Sequence, residues 1–101
     1  YRTMIEKCHR AHKKVYLATI TPMRGSGYYS ADHEEGRRIV NAWIRTQKVA
    51  DGYIDFDALM RDPKQPTAIR KGLCLSDHLH PNAAGYKEMG RYAADYFIKT
   101  R

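Results

Sequence analysis

The sequence predicts an α/β domain built on a parallel sheet, and three observations lead there. Segments with helical periodicity alternate with short β-branched and aromatic runs, in the order helix, strand, helix, strand, long loop, helix. The first of those runs, residues 15–20 (VYLATI), has the length and composition of a strand buried on both faces. Only two strands are legible, and a parallel pair with three helices leaves one sheet edge and one sheet face poorly covered. The chain is therefore expected to be the C-terminal part of a larger α/β domain, although 101 residues would by themselves suit one small domain.

Each element has a local reason. Tyr1, Met4, Ile5, Cys8 and Ala11 recur at helical spacing and predict an amphipathic helix through about Lys13. Its end carries His9-Arg10-Ala11-His12-Lys13-Lys14, where cations interact favourably with the negative helix terminus. The first strand closes at Thr21-Pro22, because proline cannot continue a ladder. Residues 23–30 (MRGSGYYS) read as a loop, and Ser30 as the cap of a second helix. Asp32, Glu34 and Glu35 fall at that helix's positive end, and Arg45 and Lys48 at its negative end. Ile39, Val40, Trp43 and Ile44 form its expected apolar stripe, with Asn41 beside it. Residues 52–56 (GYIDF) predict the second strand, with Asp55 as a loop anchor and Asp57 as the cap of a turn reaching Met60. Asp62-Pro63 ends that turn, and residues 64–76 read as an irregular connection. The last helix is expected to start near Pro81 or Asn82 and to bury Tyr86, Met89, Ala93, Tyr96 and Phe97.

Composition excludes some functions. Uninterrupted apolar runs reach only four or five residues, too short for a membrane-spanning helix. Eighteen Lys and Arg against eleven Asp and Glu give a formal charge of +7. Beyond the first helix the cations are scattered in pairs such as Arg37-Arg38 and Arg70-Lys71, without interleaved aromatics. That pattern favours a solvated basic surface over nucleic-acid binding. Cys8 and Cys74 are too few for a disulfide framework; Cys8 reads as a buried thiol, while a single bridge stays open, and with it the compartment. His78 and His80 alternate as two ligands on a strand would, but Cys8, His9, His12 and His33 add no recognisable ligand spacing, so no metal is expected.

The chemistry is concentrated in Ser76-Asp77-His78-Leu79-His80-Pro81-Asn82-Ala83-Ala84-Gly85-Tyr86. A carboxylate three residues before a histidine, in a loop entering a helix, can fold back onto the imidazole. Accepting from Nδ1, it would fix the tautomer and leave Nε2 free as a base. Tyr28 and Tyr29, with Pro22 and Met23, lie beyond the end of the first strand, where α/β sheets bind ligands. They are candidates to line an acyl or sugar pocket, against the competing reading that they pack on the next helix.

Extended to Asp-x-Leu-His-Pro-Asn-x-x-Gly-Tyr, the motif resembles the terminal block of the SGNH, or GDSL-type, serine esterases and lipases. Thr19-Ile20-Thr21-Pro22, the run Arg38-Ile39-Val40-Asn41-Ala42-Trp43-Ile44-Arg45, residues 51–57 and Asp62-Pro63 are similar to a bacterial branch of the same family. The resemblance implies a flavodoxin-like three-layer α/β/α fold with parallel strands. It also implies a Ser-His-Asp triad, with Asp77 as orienting acid, His80 as general base and no cofactor. The family's nucleophile and oxyanion-hole blocks lie N-terminal to the matched region. Residues 1–101 are therefore expected to be the C-terminal part of a single SGNH domain, inactive alone, whose partners are the missing N-terminal half and an ester of a lipid or an acylated sugar. Ser26, Ser30 and Ser76 are the only serines, and none has the framing of a nucleophile elbow. The competing function is a non-catalytic remnant acting as a basic binding or self-association module.

Overall fold

A computed structural model describes residues 1–100. Helix α1 (Arg2–Arg10) stops short of Lys13 because the chain turns left-handed at His12, with φ 61°. Of its apolar positions only Ile5 is buried; Tyr1 is exposed and stacks on Trp43 with ring centroids 5.7 Å apart.

Strand β1 (Tyr16–Ala18) pairs in parallel with β2 (Gly52–Ile54), Leu17 opposite Tyr53. The Thr19 amide donates to Ile54 and extends the ladder by one bond. Alternate residues of a strand face opposite ways, and here they meet different helices. Leu17 packs with Ile5 of α1 and Ile44 of α2 (Ala31–Thr46). Tyr16 meets Tyr96 and Phe97 of α4 (Ala83–Thr100) edge-on, at 6.0 and 5.0 Å. A parallel sheet with helices on both faces is thus present. The expected burial of β1 on both faces is not: Ala18 is exposed, because α4 covers only the Tyr16 end of that face.

Ser30 caps α2 as expected, its Oγ accepting from the His33 amide at 3.0 Å. The buried face of α2 differs from the expected stripe. Ile39 is exposed and Val40 and Trp43 are half-buried, while Glu34, Arg37 and Asn41 are buried with Ile44. Positions 34, 37, 41 and 44 still follow helical periodicity, but three of them hold polar groups with internal partners. Asn41 Oδ1 accepts from the Ile20 amide at 2.7 Å and its Nδ2 donates to the Ile20 carbonyl at 2.9 Å. The side chain thereby gives Ile20 the pairing that a neighbouring strand would give.

Helix α3 (Phe56–Met60) reverses the roles expected of two carboxylates. Asp55 is its cap, accepting from the Ala58 amide, and Asp57 lies inside the helix and buried. The connection expected to be irregular contains a hairpin, β3 (Arg61–Asp62) antiparallel to β4 (Gln65–Ile69). Pro66 argues against a strand in sequence, yet a two-stranded hairpin has only edge strands, where proline is tolerated.

The expected buried face of α4 is also corrected. Only Gly85 is buried; Met89, Ala93 and Tyr96 are half-covered, and Tyr86 and Phe97 are exposed. Gly85 is buried because the helix start packs on backbone: a β-carbon there would overlap the Leu73 carbonyl oxygen and stand 3.0 Å from Pro81 Cβ. Gly→Ala inside a helix ordinarily gains up to about 1 kcal/mol. Gly85→Ala is expected to do the opposite and lower the urea midpoint, since the obstructing atom is backbone. A stabilised variant would show that the contact is loose.

Candidate active site

Residues 74–81 form a loop closed at its base. Cys74 and Pro81 form an isolated antiparallel bridge, the Leu75 amide donates to His80 at 2.8 Å, and the Asn82 amide donates to Leu73 at 2.9 Å. Asn82 also ties the loop to α4: its Oδ1 accepts from the Gly85 amide and its Nδ2 donates to the Gly72 carbonyl at 2.7 Å. The Asn and Gly of the motif are thus explained by packing, before any chemistry is invoked.

Asp77 and His80 meet inside this loop. Asp77 Oδ1 accepts from the amides of Leu79 at 3.0 Å and His80 at 3.1 Å, which folds the turn. Its Oδ2 lies 2.6 Å from His80 Nδ1. An ionised carboxylate can only accept, so Nδ1 is the donor and the neutral ring carries its lone pair on Nε2. Nε2 has no hydrogen-bond partner among the described residues. Both side chains are open to solvent, 60% exposed for His80 and 44% for Asp77.

The His80 contact, followed by the two amides, pulls the Asp77 carboxyl down to about 2. A depressed folded value makes this stabilisation fully present above the unfolded carboxyl's titration, near pH ~3.9, and lost as pH falls through about 2. A carbon-13 titration of Asp77 is expected to find its midpoint near 2. A midpoint near ~3.9 would mean that the pair does not form in solution.

The other candidates are dispersed. Met23 and Tyr28 line a groove of about 350 Å³ with Ile20, Gly36 and Val40, but neither Asp77 nor His80 lines it. Tyr29 lies beneath the Arg24 guanidinium, 5.6 Å from its ring centre, and Pro22 is fully buried. Ser30 is committed to its cap and Ser26 Oγ accepts from the Tyr28 amide; no serine among the described residues hydrogen-bonds His80. Cys8 and Cys74 are free, half-buried thiols. No cluster of three metal-ligating side chains, and no helix long and apolar enough to cross a membrane, occurs among the described residues.

Sequence reasoning missed the ionic brace under the end of β1. Arg37, buried, donates to Glu34 at 2.9 Å, to Asp57 at 2.6 Å and to the Ile20 carbonyl at 3.1 Å. Asp57 also accepts from Arg45 at 2.7 Å and Arg61 at 3.1 Å, and Arg45 grips Asp55 through two nitrogens. Thr19 Oγ1 donates to Asp55 and accepts from the Asp57 amide, linking the brace to the strand. Burial works against the Arg37 charge, but the bonds to Glu34 and Asp57 outweigh it and raise its affinity for the proton. Arg45 is raised chiefly by Asp55. Burial would raise Asp55 in turn, yet Arg45, Ala58 and Thr19 together leave it lowered. The one sequence signal was the placement of Glu34, Arg37, Asn41 and Arg45 along one side of a helix.

No curated protein gave a match to the chain. A family model does match over residues 1–88, a span that runs from α1 through the Asp77–His80 turn into α4. With most of the chain inside that span, the protein belongs to the GDSL-like Lipase/Acylhydrolase family.

Proposed function

We propose that these residues are the C-terminal part of a serine ester hydrolase with a flavodoxin-like SGNH domain, in which His80 is the general base and Asp77 its orienting acid. The 2.6 Å contact between Asp77 Oδ2 and His80 Nδ1, with Nε2 left free, carries this reading. A serine from the preceding half of the domain, outside residues 1–101, attacks the ester carbonyl while Nε2 takes its proton. Asp77 stabilises the imidazolium that forms. The imidazolium then gives its proton to the leaving alcohol, and Nε2 activates the water that hydrolyses the acyl-enzyme. These steps call on no metal or organic cofactor.

The substrate class is an ester with an apolar acyl part, on a lipid or a sugar. The groove lined by Ile20, Met23, Tyr28 and Val40 supports it, since its surface is mostly apolar, with Asp32, His33 and Arg37 at its wall, and it lies between the loop beyond β1 and α2. The test is hydrolysis of p-nitrophenyl acetate by the intact protein with and without His80→Ala. Turnover unchanged by that substitution would refute the assignment.

A further inference from the structure

The geometry points to His78 as a positioning residue that joins the loop after β1 to the Asp77–His80 turn. This inference rests on the reading of His80 as the general base. His78 lies within the turn, and its backbone is left-handed, with φ 55°. A side chain there costs on the order of 1 kcal/mol, so the surroundings must hold the conformation. Its amide, donating to the Leu75 carbonyl at 3.0 Å, and its ring share that hold.

Its imidazole lies against Gly25: a methyl group on Gly25 would stand 3.0 Å from His78 Cγ and 3.3 Å from its Cδ2. Gly25 has φ 93°, a backbone that side chains resist, so the glycine serves both the turn and the close approach. From the base of the loop, Cys74 Sγ approaches His78 Nδ1 at 3.9 Å. The ring, although exposed, thus touches both loops.

Among the described residues, the reacting groups themselves are fixed from within their own turn. The hydrogen bonds made by Asp77 and His80 run to one another, to Leu79 and to Leu75, all inside the same loop. Both side chains are open to solvent. The turn is tied to α4 through Asn82 and to the β1 loop through His78. Met23 and Tyr28 belong to that same β1 loop, so a ligand seated on them bears on the His80 turn through Gly25.

The test uses His78→Gly in the intact protein, because glycine adopts φ 55° freely and only the ring is lost. The Asp77 titration midpoint is expected to rise by about one unit, a tenfold change in proton affinity. Ester turnover is expected to fall about tenfold with it. His78→Asn also tolerates the left-handed backbone and must move the midpoint in the same direction. Gly25→Ala, which strains the φ 93° backbone and also pushes on the ring, should raise the midpoint more in the native background than once His78 is glycine. An unchanged midpoint in His78→Gly, or an equal effect of Gly25→Ala with and without the ring, overturns the inference. Amide spectra matching the native protein certify the fold in each variant. The carboxyl titration reads the turn whether or not the protein cleaves esters. A fully active His80→Ala enzyme would therefore sink the catalytic reading while leaving this measurement intact.

Discussion

Arg37→Met is expected to destabilise the protein by about 3–5 kcal/mol, a large part of the roughly 5–15 kcal/mol that holds a domain together. The side chains of Arg37, Glu34 and Asp57 are 4, 4 and 5% exposed, so the substitution leaves two carboxylates out of water. Asp57 keeps Arg45 and Arg61, but among the described residues Glu34 keeps only the exposed Arg38, at 3.6 Å. Glu34 should therefore account for most of the loss. Replacing it as well, in Glu34→Leu/Arg37→Met, should recover much of the stability, because a buried pair exchanged for apolar groups is often neutral. Urea denaturation of the three proteins decides the point. If Arg37→Met lies within about 1 kcal/mol of the native protein, water reaches these charges and the brace is not buried in solution.

That brace also shows what the sequence could and could not disclose. The parallel pairing of β1 and β2, the Ser30 cap and the Asp77–His80 turn follow from local rules of spacing, capping and chain direction. All three are legible in residue order. The buried face of α2 is not, because burial of Glu34 and Arg37 depends on Asp57 from α3, 20 residues beyond Arg37. A charge that meets its partner only after folding reads in sequence as a charge facing solvent. The same holds for Asp55 and Asp57, whose roles are exchanged according to where Thr19 and Arg45 arrive. Hairpin β3–β4 was hidden by its own brevity and by Pro66. The overestimated burial of α4 has another origin: its apolar stripe is real, but only the Tyr16 end of the sheet reaches it.

Asp77→Asn is expected to lower kcat/KM for ester hydrolysis by the intact protein by about 10⁴ and His80→Ala by about 10⁶, the scale of triad losses elsewhere. Thermal stability should hardly change, because both side chains are largely exposed. The asparagine variant is the more informative. Its Oδ1 can still accept from the Leu79 and His80 amides, so the turn survives. Its amide nitrogen then faces His80 Nδ1 and offers a donor where the carboxylate offered an acceptor. The neutral ring must answer by moving its proton to Nε2, the atom required to be free. Nitrogen-15 shifts of His80 should accordingly show Nδ1–H in the native protein and Nε2–H in Asp77→Asn. Asp77→Ala imposes no tautomer but also removes the acceptor that folds the turn, so Asp77→Asn is the variant that isolates the tautomer. If Asp77→Asn keeps the native tautomer yet loses activity, the carboxylate acts through its charge on the imidazolium rather than through the tautomer.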